Sequence, residues 1–237
     1  MKYGMVISLH LVLIRTPNAV LPVLGVAKIK IGRLVISIIN YLAKYMMRIN
    51  YIELPKFFKE FIKIPDNIET MVPKIKDTGN FISVPLKTFV TETGLAWFKE
   101  HDVFLHPTPF LFDMPPNITS VPHIDSNYDP TKLVAINFVL RGYGEVQWVD
   151  VEGDKEYFIF PDSDTGSPSV YTTFKNIKNV TVTDVWTGGA AVIHIQDPHR
   201  IVTKESRRIL LTMRPKITSP NRTMNDFARI LESLPRW

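Results

Sequence analysis

Two histidines, one aspartate and one arginine carry the chemistry that this sequence offers. The first pair lies in Pro122-His123-Ile124-Asp125, at the end of a stretch with strand character. On a strand, residues i and i+2 point to the same face, so His123 and Asp125 can reach one metal ion while Ile124 packs away from it. By itself the pair is weak, because a chain with 6 His and 23 Asp+Glu produces such a spacing easily by chance. The second element runs from Gly188 to Val202: a glycine turn, an apolar run, a polar turn with Pro198, and His199 entering another β run. That context puts His199 at a strand start near the mouth of a barrel. Two imidazoles and one carboxylate on one face of an octahedral ion leave three positions open, as a non-haem Fe(II) centre requires for a co-substrate and O2. His194 is the rival third ligand, but it sits mid-strand, and the turn-then-histidine context favours His199. His10, His101 and His106 read as ordinary surface or core residues.

Arg208 follows His199 within Arg208-Ile209-Leu210-Leu211-Thr212-Met213-Arg214. Alternation puts Arg208, Leu210, Thr212 and Arg214 on one face of that strand. A cation inside a barrel is costly unless it has a partner. A dicarboxylate ligand would supply one, since a guanidinium fork matches a carboxylate. From about Phe104 to Arg214 the chain resembles the Fe(II)/2-oxoglutarate-dependent dioxygenases, with their double-stranded β-helix and His-X-Asp…His…Arg pattern. The resemblance implies that His123, Asp125 and His199 bind Fe(II), and that Arg208 holds the distal carboxylate of 2-oxoglutarate. It implies O2 as the oxidant, with 2-oxoglutarate converted to succinate and CO2 as a substrate is hydroxylated. Arg214 matches a second arginine of the nucleic-acid demethylase branch, and Asn137 stands where relatives place a polar co-substrate contact. The chain departs from the pattern at Leu210, where many relatives carry serine. The carboxylate then has one fewer neutral donor, a place open to Thr212 or to a tyrosine.

The aromatic residues nearest these motifs, Phe110, Phe112, Tyr128 and Trp148, are candidate walls of a substrate pocket. Tyr143 and Trp186 read as core, and Arg207 as solvated.

The elements that must position these groups are mostly short strands punctuated by turn residues. Strands are predicted over 119–124, 133–140, 145–150, 157–160, 170–174, 180–186, 190–195, 200–202 and 208–214. Short helices are predicted at 55–62 and 91–100, and a closing helix from Ser219-Pro220 to about Leu234. Turns are expected at 142–144, 162–167 and 188–189. The fold class that follows is mainly β with flanking helices: a double-stranded β-helix, that is, a jelly-roll or cupin-like barrel. No βαβ alternation, phosphate-cradling glycine loop or nucleophile elbow is present.

The formal net charge of +5 invites a nucleic-acid reading until it is located. Residues 1–50 hold seven Lys/Arg and no acid, which leaves 21 basic and 23 acidic side chains in the rest. The body therefore lacks the electrostatic footprint of a phosphate-backbone binder. We read residues 1–46 as a basic, apolar extension and 47–237 as a single dioxygenase domain. As a membrane span the extension is poor, because Arg15, Pro17, Asn18 and Pro22 interrupt it. As a secretory signal it lacks a clean cleavage pattern. It is expected either to lie upstream of a true start near Met46 or Met47, or to bind a membrane peripherally. With 0 Cys there are no disulfides and no thiolate chemistry, and the expected location is cytoplasmic. The expected partner is a small-molecule or peptidyl substrate, not nucleic acid. Two alternatives stand beside the oxygenase reading: a cupin-like metalloenzyme that ignores 2-oxoglutarate, and a non-catalytic β-barrel used for binding or structure.

Overall fold

Apolar residues at alternate positions of the long central strands have to be buried on two sides at once, and two packed sheets follow from this. A computed structural model describes residues 49–73, 79–125, 133–160, 169–215 and 223–234, all within one unit, Ile49–Trp237. The predicted turn at 162–167, the start of the last helix and the N-terminal extension lie outside the described residues.

The strands are β1 (Tyr51–Glu53), β2 (Asn80–Ser83), β3 (Phe110–Met114), β4 (His123–Ile124), β5 (Val134–Arg141) and β6 (Glu145–Val151). They continue with β7 (Asp154–Phe160), β8 (Ser169–Lys175), β9 (Val180–Trp186), β10 (Ala190–His194), β11 (His199–Val202) and β12 (Arg208–Met213). They form two antiparallel sheets, ordered β1-β10-β5-β12-β3-β2 and β7-β8-β4-β11-β6-β9. The chain crosses between sheets at each step from β3 to β6, and again at each step from β9 to β12. That winding is a double-stranded β-helix, the jelly-roll barrel expected from the sequence. The hairpin β7–β8 is inserted between the two windings and extends the second sheet beyond β4.

The interior between the sheets holds Ala135, Val146, Trp148, Trp186, Ala191, Ile193, Ile195 and Leu210, with Phe112 and Val139 packed against them. The opposite face of the first sheet, with Ile136, Phe138, Val192, Leu211 and Met213, is covered by helices. A 3-10 helix, Lys56–Phe61, and an α-helix, Glu92–Glu100, meet there through edge-on contacts among Phe58, Phe61, Trp97 and Phe98. Thr91 caps the second of these by accepting from the Gly94 amide. The C-terminal helix, Met224–Glu232, starts on a capping box between Thr223 and Asp226 and adds Met224 and Phe227 to the same layer.

Sequence and structure differ at several elements. The strand predicted over 119–124 shrinks to His123–Ile124 plus an isolated bridge from Thr119 to Val202. The helix predicted at 55–62 is a 3-10 turn without a side-chain cap. Strands β1, β2 and β3 were not predicted. Among the described residues no helix is long and apolar enough to cross a membrane.

Candidate metal centre

His123 and His199 are register partners on the adjacent strands β4 and β11, with ring centroids 4.5 Å apart. Asp125, just past β4, directs Oδ1 between them, 3.5 Å from Nε2 of His123 and 3.7 Å from Nε2 of His199. One potential ligand atom from each of the three residues lies within 4.8 Å of the others. Each imidazole is oriented by the same local device, with Nδ1 donating to the carbonyl two residues back. His123 bonds Val121 O at 2.8 Å and His199 bonds Asp197 O at 2.9 Å. The Nε2 lone pairs are thereby left facing the shared centre, which is how metal-binding imidazoles are usually held.

The electrostatics agree. Burial lowers the His123 pKa to about 4, and the neighbouring His199 adds to the shift. Burial pushes the Asp125 carboxyl upward, but Arg214 and the two imidazoles outweigh it and hold the pKa at about 2. Near neutral pH the site thus presents a neutral imidazole at His123 and an ionised carboxylate, the protonation states that metal ligation needs.

Arg208 lies on the inner face of β12 with no exposed surface. Its Cζ sits over the Trp186 ring, 5.1 Å from the centroid. None of its Nε, Nη1 and Nη2 atoms has a hydrogen-bond partner. Burial lowers its pKa to about 10, with Tyr143 opposing the shift, so the guanidinium stays charged at neutral pH. Asn137 and Thr212 are buried register partners on β5 and β12, and the Asn137 Oδ1 is also unpartnered. Arg214, expected beside the co-substrate, donates from Nη2 to Asp125 Oδ2 at 2.7 Å. Arg207, read as solvated, instead clamps Asp113 through Nε and Nη2 at 2.7 and 2.5 Å and pairs with Glu69. It ties the start of β12 to β3.

The aromatic residues separate into two groups. Trp148 is the register partner of His199. It is buried, and its indole N–H is committed to the His194 carbonyl at 3.0 Å, so it supports the centre from within the barrel. Phe110 and Phe112 stay partly exposed on β3 and pack against Phe81 of β2, with centroids 5.6 and 5.2 Å apart. Tyr128 lies outside the described residues. His194 shares the outer face of β10 with Ala190 and Val192, its Nδ1 3.4 Å from Asp197 Oδ2, and it does not join the three-residue cluster.

Trp186, read as core, lies in the buried interior, whereas sequence reasoning missed Tyr171. Tyr171 on β8 stacks on His123 at 4.9 Å, and burial together with the Asp125 charge raises its phenol pKa. No local signal shows that the hairpin carrying it lies beside β4.

No protein-family model matches the chain, and no curated protein matches it. Solved structures with a similar outline include a polyketide cyclase from Streptomyces resistomycificus, at 13% identity and TM-score 0.31, covering 65% of this chain and 79% of that one. Another is an oxalate decarboxylase of Bacillus subtilis with Mn(II) centres, at 12% and 0.31, covering 77% and 39%. A third is an oxalate oxidase in complex with glycolate, at 10% and 0.25, covering 60% and 53%. Likenesses of this strength assign neither family nor activity.

Proposed function

We propose that this protein is an Fe(II)- and 2-oxoglutarate-dependent oxygenase acting on a small-molecule or peptidyl substrate. Support for the metal comes from the donor set: two imidazoles with Nε2 turned inward and one carboxylate, a facial arrangement suited to Fe(II). The observation that carries the co-substrate is Arg208, a buried, charged guanidinium whose nitrogens all lack partners. Folded proteins rarely bury a charge without a counter-charge, and removing one partner of a buried pair costs about 3–5 kcal/mol. A carboxylate entering along β12 toward the three-residue cluster would supply the missing partner.

On this reading His123, Asp125 and His199 hold the metal, and the carbonyls of Val121 and Asp197 fix the two rings. Arg214 holds Oδ2 of Asp125, which leaves Oδ1 as the carboxylate oxygen that would be offered to a metal. Arg208 anchors the far carboxylate of the co-substrate, with Asn137 and Thr212 on the same inner face. The apolar interior around Leu210 and Trp148 excludes water. Bound Fe(II) with 2-oxoglutarate and O2 supplies the oxidising chemistry that hydroxylates a C–H bond. Phe81, Phe110 and Phe112 offer an apolar wall to the substrate, and the near-neutral body suits a small molecule or a peptide better than nucleic acid.

One observation favours a cupin-like metalloenzyme that does not use 2-oxoglutarate. Leu210 faces into the barrel where a neutral donor would otherwise assist Arg208. The two readings separate without a substrate. Under anaerobic conditions, Fe(II) followed by 2-oxoglutarate should give a weak visible charge-transfer band, absent in His199→Ala and weakened in Arg208→Ala. Iron binding without a band would favour the cupin-like alternative. Failure to bind iron would remove both.

A further inference from the structure

Trp186 is a large, fully buried side chain at the end of β9, in the second sheet, facing Arg208 from the first. Its ring gives the guanidinium a flat surface, yet its own Nε1 is buried without a hydrogen-bond partner. Buried indole N–H groups normally find an acceptor, and leaving one unmet is unfavourable. Two residues in direct contact thus each carry a buried donor group without an acceptor. Trp148, the other large indole of the interior, shows the contrast, because its N–H is satisfied by the His194 carbonyl.

Among the described residues no acceptor reaches the guanidinium or the indole N–H. Leu210, two residues along the inner face, is apolar, and Tyr143 favours the charge of Arg208. A Cβ at position 144 would meet Arg208 Cδ at 2.7 Å and the Val202 carbonyl at 3.2 Å. Gly144 thus leaves the room that the arginine stem occupies, which keeps the guanidinium pressed to the indole.

We propose that the Trp186 indole N–H is the neutral donor of the anion pocket, binding together with Arg208 one carboxylate of the co-substrate. This assignment rests on the oxygenase reading for the identity of the anion, while the pocket itself rests on the two unmet donors. It also accounts for Leu210: the donor absent from β12 comes from β9 in the facing sheet. A carboxylate held this way bridges the two sheets.

The test follows the indole ¹H–¹⁵N signals of the full chain, loaded with diamagnetic Zn(II), during titration with 2-oxoglutarate. The chain has 4 Trp, so the Trp186 signal is the one lost in Trp186→Phe. If that variant does not fold, the signal is assigned by loss of the other three in Trp97→Phe, Trp148→Phe and Trp237→Phe. The expected result is a saturable downfield shift of the Trp186 proton in wild type and none in Arg208→Met. In Trp186→Phe, 2-oxoglutarate affinity measured by calorimetry should fall about ten- to a hundred-fold, as for loss of a hydrogen bond to a charged group. Binding of 2-oxoglutarate with an unmoved Trp186 signal, or with equal affinity in Trp186→Phe, overturns the assignment and leaves the oxygenase reading standing. If 2-oxoglutarate does not bind but succinate or oxalate moves the signal through Arg208, the pocket stands and the co-substrate reading falls. If none of the three carboxylates moves it, the assignment is wrong.

Discussion

At the scale of single residues, the conflict at Arg208 between folding and function can be measured. A buried cation without a partner destabilises the ligand-free fold, and replacing buried charges by apolar residues of similar size is often neutral or stabilising by about 1–4 kcal/mol. Arg208→Met is therefore expected to raise the melting temperature of the ligand-free protein by roughly 2–16 °C, given about 2–4 °C per kcal/mol in a domain of this size. The same variant should lose the upward shift that 2-oxoglutarate gives to wild type. A marked fall in melting temperature on substitution would mean that the guanidinium has a partner within the fold. Much of this site was legible in the sequence, because strand alternation alone puts His123 with Asp125 and Arg208 with Thr212. Trp186 was legible as core, but its unmet N–H depends on contacts across the barrel that no local pattern encodes. The bond from Arg214 to Asp125 was not legible for a related reason, since periodicity gives the face of a residue but not which carboxylate on the other sheet it meets.

At the scale of elements, the turn from β5 to β6 does two jobs through two glycines. Gly142 adopts φ +71°, and a Cβ there would lie 1.6 Å from the Arg207 carbonyl oxygen, so neither strain nor overlap can be relieved without moving the backbone. Gly144 has an ordinary conformation, and the nearest atom to its added Cβ is the Cδ of a flexible side chain. Gly142→Ala should accordingly destabilise the fold, by more than the roughly 1 kcal/mol that such a replacement can gain at a compatible position, visible as a lower urea midpoint. Gly144→Ala should leave that midpoint closer to wild type and weaken 2-oxoglutarate binding by displacing Arg208. Equal effects of the two on both measurements would deny Gly144 its part in the pocket. The longer strands were legible because turn residues bound them. β3 was not, because Phe110-Leu111-Phe112 is a short apolar run that periodicity alone cannot assign to a strand. The hairpin β7–β8 was legible as two strands, yet its place beside β4 depends on a non-local pairing that no local pattern encodes.

At the scale of the whole molecule, the three candidate metal ligands lie on or beside strands of one sheet and the two arginines on or beside a strand of the other, so the stability of the barrel would respond to what occupies the centre. The folded His123 has a pKa of about 4 against an ordinary value of 6.5. Between those values the unfolded chain binds the extra proton, and stability rises with pH wherever that holds. The stabilising share of a neutral His123 is thus complete above 6.5 and is lost as pH falls through 4. It amounts to about 3 kcal/mol at 1.36 kcal/mol per unit. Asp125, held at about 2 against 3.8, adds a separate loss only below pH 4. A metal at a hundred times its dissociation constant would add about 2.7 kcal/mol near neutrality. That increment should shrink toward pH 4, because protons and the metal compete for the same Nε2. Urea unfolding of wild type and His123→Gln, each with EDTA or with Zn(II), checks both statements. Wild type in EDTA should lose stability steadily from pH 6.5 to 4, whereas His123→Gln should show a flatter profile and no metal increment. A flat wild-type profile over that window would mean that the ring takes up its proton as easily in the fold as in water, which cannot be reconciled with a histidine closed inside a metal centre.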